Sequence, residues 1–151
     1  MMRQKPRPFE ELAAEITNST ILLDVDGTLL PDGADILSPL TLDVVRNLAR
    51  ENTVYLVSNG TNRERVERFA RECGVSVAPR GVPAGKPRVR AAEGIPRDKP
   101  LVVIGDKVLT DGLFARFLGA HFIMVESHRG GAESPLVKLW YVLDKAVSWF
   151  L

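Results

Sequence analysis

Two carboxylates one residue apart, Asp24 and Asp26, follow the apolar run Ile21-Leu22-Leu23 and precede Gly27-Thr28. An apolar run that ends in carboxylates reads as a buried strand stopping where chemistry begins. Side chains alternate along an extended chain, which points Asp24 and Asp26 to one side and Val25 to the other. Two nearby carboxylates repel unless a cation or a proton lies between them. Gly27 permits a sharp turn or a close approach of backbone to ligand. The pattern suits a divalent cation with a phosphate beside it.

Three further segments carry compatible chemistry: Ser58-Asn59-Gly60, Gly85-Lys86-Pro87, and Gly105-Asp106 followed by Thr110-Asp111. Each alone has an ordinary explanation. Ser-Asn-Gly is turn chemistry, a lysine before proline is a surface charge, and Asp111 can simply cap the helix it precedes. Their joint order is what lifts them.

The elements that must position these residues follow from hydrophobic periodicity. Strands are predicted at about 20–24, 53–58, 75–78, 101–105 and 121–125. Helices are predicted over 9–16 (Phe9, Leu12, Ala13 and Ile16 on one face), from Ser38 or Thr41 to 50, and over 62–73, 87–93, 111–118 and 135–151. Gly74 and Gly119 stop two of them. Residues 30–38 form a loop or small flap. The alternation predicts an α/β fold, a doubly wound, Rossmann-like parallel sheet of about five strands with helices on both faces. Ligands of such sheets lie beyond the carboxyl ends of the strands, where Asp24, Ser58 and Asp106 all fall.

A chain of 151 residues with net charge +1 fits one domain and offers no global field for nucleic acid. Residues 1–8, with Arg3, Lys5 and Arg7, are expected to form a flexible basic arm ahead of a single domain over 9–151. Cys73 is alone, which excludes an intramolecular disulfide and points to a reducing compartment. No run is long enough to span a bilayer, and no signal-peptide core is evident. The expected location is cytoplasmic, free or peripheral at a membrane surface. His121 and His128 have no partners at metal-ligand spacing; His121 should begin a strand, and His128-Arg129 should lie in a loop opening toward the site.

With all four segments in order over residues 21–125, the chain resembles the haloacid dehalogenase superfamily of phosphoryl-transfer enzymes. That resemblance implies roles. Asp24 would be the nucleophile that forms an aspartyl phosphate, and Asp26 the acid that protonates the leaving oxygen and then activates water. Mg²⁺ would be held by Asp24 and Asp106, by the backbone carbonyl of Asp26, and with support from Asp111. Ser58, with Asn59 and Gly27 beside it, would contact the phosphoryl group, and Lys86 would offset its charge.

Family members usually carry a cap domain inserted after the first or second motif. Here about thirty residues separate Asp26 from Ser58, and neither gap holds such a domain, so the site should be open. The short chain and the segment 105–111 are similar to the small capless phosphatases of the phosphatidylglycerophosphate phosphatase group, which often has Asn where this chain has Gly27. The implied substrate is a phospholipid phosphate or another large, membrane-surface phosphate ester. A soluble sugar or nucleotide phosphate, with the site closed by a homo-oligomer, is the second reading; a non-catalytic binding protein of the same fold is the third. The tail from Pro135 is apolar over well over half of a helix circumference, with Lys138, Asp144, Lys145 and Ser148 on one narrow face. Part of that apolar arc should cover the sheet; ordinary core packing is the first reading of the rest, and contact of it, with Trp149, Phe150 and Leu151 at the end, with lipid headgroups or another subunit is the alternative.

Overall fold

A computed structural model describes residues 5–12, 15–128 and 135–150, the last segment with side chains to residue 147. Five parallel strands, β1 (Thr20–Leu23), β2 (Thr53–Leu56), β3 (Ser76–Val77), β4 (Leu101–Gly105) and β5 (His121–Met124), form one sheet in the order β3-β2-β1-β4-β5. Among the described residues four α-helices accompany them: α1 (Pro39–Glu51), α2 (Arg63–Cys73), α3 (Leu113–Leu118) and α4 (Pro135–Phe150). The α/β parallel sheet read from the sequence is the observed one.

β1 is central and buried along its whole length, which is why it reads as an unbroken apolar run. Its side chains still alternate between two cores. Ile21 and Leu23 join Val45, Leu48, Val66 and Phe69 from α1 and α2, whereas Leu22 joins Phe114 and Ala115 from α3 and Ala91 and Ala92. In register, Leu23 sits beside Leu56 of β2 and Ile104 of β4. The residues that follow these three positions therefore emerge together at one end of the sheet.

Local signals place the helices. Ser38 caps α1 by accepting the Thr41 N–H at 3.1 Å, and Pro39 occupies the first turn. Asn62 caps α2 by accepting the Arg65 N–H at 3.0 Å, and Gly74 ends it in the left-handed region at φ +70°.

Several elements differ from expectation. The helix predicted over 9–16 is a single 3-10 turn, Phe9–Glu11, although Phe9, Leu12 and Ile16 do enter the core; Ala13 lies outside the described residues. Between Pro87 and Gly94 there is room only for a 3-10 turn, Val89–Ala92, and not for a helix over 87–93. The helix predicted from Asp111 starts earlier, as a π-helical turn, Val108–Gly112, leading into α3. The cause is distant in sequence. Asp144 of α4 accepts the N–H groups of Val108 and Leu109 at 2.9 and 2.7 Å, satisfying the start of that turn.

α4 is turned the other way from the expected one. Tyr141 and Asp144 face inward against the π turn, while Leu136, Leu139, Trp140, Val142 and Leu143 are exposed. It does not lay its apolar arc on the sheet. The side chains of Trp149 and Phe150, with Leu151, lie outside the described residues. Within the basic segment Arg7 forms a bridge to Val125 and a double hydrogen bond with Glu15; residues 1–4 lie outside the described residues. No described helix is long and apolar enough to cross a membrane.

Candidate active site

The carboxylates of Asp24, Asp106 and Asp111 meet at the carboxyl end of β1 and β4, each at most 8% exposed, with ligand oxygens within 4.8 Å of one another. Lys86 reaches into the group from the loop after β3. Its ammonium lies 2.7 Å from Asp24 Oδ1 and 2.7 Å from Asp111 Oδ1. Lys107 lies 3.3 Å from Asp106 Oδ1, over the ring of Tyr141. Three buried carboxylates thus face two ammonium groups. Thr28 shares its hydroxyl between Asp24 Oδ2 (3.0 Å) and Asp106 Oδ1 (3.3 Å), and Ser127 donates to Asp106 Oδ2 at 2.9 Å.

Two glycines make this packing feasible. A Cβ at Gly105 would collide with the Asp111 carboxylate, and one at Gly27 would come within 2.5 Å of both Asp106 Oδ2 and the Tyr141 hydroxyl. Gly27 also needs its freedom for φ +83°.

The proton affinities divide. Burial alone would raise the Asp24 carboxyl. The Lys86 and Lys107 charges outweigh that, helped by hydrogen bonds from Lys86 and Thr28, and hold it below the ordinary carboxylate value. Asp106 is pushed up to about 7 and Asp111 to about 6, by burial first and then by the Asp24 charge. Lys86 is held protonated, with its pKa up to about 12: burial opposes this, but Asp111 and Asp24 prevail. Asp24 is therefore the group kept anionic, while its two neighbours need a cation to ionise without strain. A hard, all-oxygen donor set of this kind fits Mg²⁺.

Asp26 does not join that cluster through its side chain. The strand ends at Leu23 and the chain turns, with Gly27 N–H donating to Leu30 O at 2.8 Å, so strict alternation no longer applies beyond Asp24. The Asp26 carboxylate instead pairs bidentately with Arg65 of α2, at 2.8 and 3.1 Å, and its Oδ1 also accepts the Gly33 N–H at 3.1 Å. It stays near the site all the same. A Cβ placed on Gly60 would be 3.2 Å from both Asp26 Oδ2 and Ser58 Oγ, so the two oxygens face one small space.

Ser58 is buried at the end of β2, as its position requires. Asn59 is engaged elsewhere: its amide accepts the Gly85 and Lys86 N–H groups (3.0 and 2.8 Å) and donates to the Lys86 carbonyl (2.9 Å). It builds the Lys86 loop. Asp111 sits inside the π turn and not ahead of it: its Oδ1 lies on Lys86, while its Oδ2 accepts the Lys107 N–H at 3.3 Å at the start of the turn, where Asp144 accepts the next two N–H groups. His121 opens β5, and the backbone of His128 donates to Gly27 O at 2.7 Å with its ring 3.7 Å from Glu10; Arg129 lies outside the described residues.

Sequence reasoning missed Arg65, Thr28, Lys107, Ser127, Tyr141 and Asp144. Thr28 and Lys107 adjoin recognised residues and were findable by that proximity. The others act across 21 to 39 positions or more, as Ser127–Asp106 and Arg65–Asp26 do, and no local pattern marks them. No family model matches the chain, no curated protein matches it, and no solved structure matches it.

Proposed function

We propose that the protein is a Mg²⁺-dependent phosphatase of the haloacid dehalogenase type, hydrolysing a phosphate monoester through an aspartyl phosphate on Asp24. The observation that supports this reading is the cluster of Asp24, Asp106 and Asp111, with Lys86 on Asp24 and Asp111 and Lys107 on Asp106, at the end of the sheet where such folds bind ligands. Asp24, Asp106 and Asp111 would hold the ion, which when bound would neutralise charge on the phosphoryl oxygens.

The chain's own groups supply the rest. Asp24, kept anionic by two lysines, attacks phosphorus as the P–O bond to the leaving group breaks. Asp26 gives its proton to that departing oxygen. In the second half Asp26 takes a proton from the attacking water, and inorganic phosphate leaves as Asp24 is regenerated. Ser58 donates to a phosphoryl oxygen, and Lys86 opposes the developing negative charge.

The test is phosphate release from an aryl phosphate with Mg²⁺. Wild type is expected to turn over and Asp24→Asn to lose all measurable activity. Equal activity in the two would refute the mechanism, and inactivity of both on a broad panel of phosphate esters would favour a non-catalytic binding protein.

For the substrate we propose a phosphate ester at a membrane surface, of the phosphatidylglycerophosphate kind, with the protein on the cytoplasmic face. The outward apolar side of α4, beside Tyr141 and the site, favours this over a freely soluble ester. Sedimentation with anionic vesicles should be strong for wild type and weak for Leu139→Glu. Wild-type dimerisation that Leu139→Glu abolishes, without vesicle binding, would instead support the reading in which a second copy covers the site.

A further inference from the structure

We propose that Arg65 is a positioning residue that selects Oδ2 of Asp26 as the proton-transfer atom, an inference that rests on the acid/base reading of Asp26 given above. The two oxygens of that carboxylate are not equivalent. Oδ1 accepts two donors, the Gly33 N–H at 3.1 Å and Arg65 Nη2 at 2.8 Å. Among the described residues Oδ2 accepts only Arg65 Nη1, at 3.1 Å, and it is this oxygen that shares its space with Ser58 Oγ. A carboxylate oxygen has two lone-pair directions. Oδ1 has both engaged, whereas Oδ2 keeps one for a proton on the Ser58 side, where the phosphoryl group is to bind.

Arg65 is itself held with little freedom. It is 8% exposed, and its guanidinium donates to the Ala34 carbonyl through Nε and Nη2 and stacks on the Phe69 ring at 5.0 Å. Asn62 fixes its backbone at the start of α2. A planar fork with one edge on Asp26 and another on the flap carbonyl fixes the carboxyl plane, which an ammonium on a flexible stem cannot do. The flap residue Gly33 contributes the remaining donor. Arg65 therefore ties the flap, the helix and the acid into one unit.

Protonation of the leaving oxygen matters for poor leaving groups and little for good ones. That difference separates positioning of Asp26 from a merely structural role. Phosphate release by the full chain with Mg²⁺ is measured from an alkyl phosphate and from a dinitrophenyl phosphate. Asp26→Asn should lose about 10²-fold or more in kcat on the alkyl ester and far less on the aryl ester. Arg65→Gln should show the same split, about tenfold or more against less than about threefold, with Arg65→Lys between wild type and Arg65→Gln. The double variant should be no slower than Asp26→Asn, because the lost function is shared. Arg68→Gln, which cuts a surface contact to Asp35 on the same flap, should leave the ratio unchanged. The ratio comes from one protein sample, so partial unfolding cancels. Equal losses on both esters in Arg65→Gln, or additive losses in the double variant, would overturn the proposal. An Asp26→Asn variant with no leaving-group preference would instead overturn the acid/base reading itself.

Discussion

Replacing Asp106 with Asn tests whether the carboxylate cluster is strained in the way a metal site is. In the fold Asp106 rises from 3.8 to about 7, and Asp111 rises in the same direction. The folded protein thus binds more protons than the unfolded chain between pH 4 and 7, so without metal its stability must fall as pH rises through that window. Asp24 has the opposite sign: its contribution is present above its ordinary pKa and is lost only in stronger acid. Lys86 is constant below about pH 10. Neither alters the slope between pH 5.5 and 8.

The part of the Asp106 shift lying above pH 5.5 corresponds to about 2 kcal/mol. For a chain of this size that is roughly 4–8 °C in Tm. Thermal unfolding of chelator-treated protein at pH 5.5 and 8 should show that drop in wild type. In Asp106→Asn, which can still accept from Ser127, the drop should shrink to less than half. Saturating Mg²⁺, at about 100 times its Kd, should restore roughly 2.7 kcal/mol to wild type at pH 8 and little to the variant. A wild-type Tm equal at both pH values without metal, with no Mg²⁺ response, would refute the reasoning.

Lys86→Met removes the ammonium between two buried carboxylates and should cost about 3–5 kcal/mol in urea unfolding at pH 8 along with measurable activity. Unchanged stability would mean the pairs are not formed in solution. Gly105→Ala drives a Cβ into the Asp111 carboxylate, which should destabilise the fold by about 1–3 kcal/mol and weaken Mg²⁺ binding measured by calorimetry. Asp144→Ala leaves two N–H groups of the π turn that carries Asp111 unpaired; a loss of about 2 kcal/mol or more and a weaker Mg²⁺ affinity are expected, with Asp24 chemistry otherwise intact.

The sheet was legible because β1 and β4 are continuous apolar runs that stop at Asp24 and Asp106, and the helices between them carry their own caps. Asp24, Ser58 and Asp106 were legible for the same reason: a residue just past a parallel strand has one place to go. Lys86 and Asp111 sit in irregular segments, and their convergence is a product of the fold. The failures share a cause. The helix over 9–16 rests on apolar spacing that a single turn satisfies as well once Phe9 is buried, and the one over 87–93 on a proline start that a single turn burying Ala91 and Ala92 also accommodates.

α4 exposes a deeper limit of periodicity. Spacing at 3.6 residues identifies a stripe but does not state which side of the helix faces the protein. The default, apolar inward, fails here because the sheet end presents bare N–H groups at Val108 and Leu109 and a cationic Lys107 instead of an apolar surface. Two half-buried N–H groups left unpaired would each cost about 1 kcal/mol or more, so a carboxylate that satisfies both competes well with burying a leucine, worth about 1.5–3 kcal/mol. Asp144 and Tyr141 therefore turn inward, and Leu136, Leu139 and Leu143 turn outward as a consequence. The orientation of the last helix is decided by hydrogen-bond satisfaction at the site.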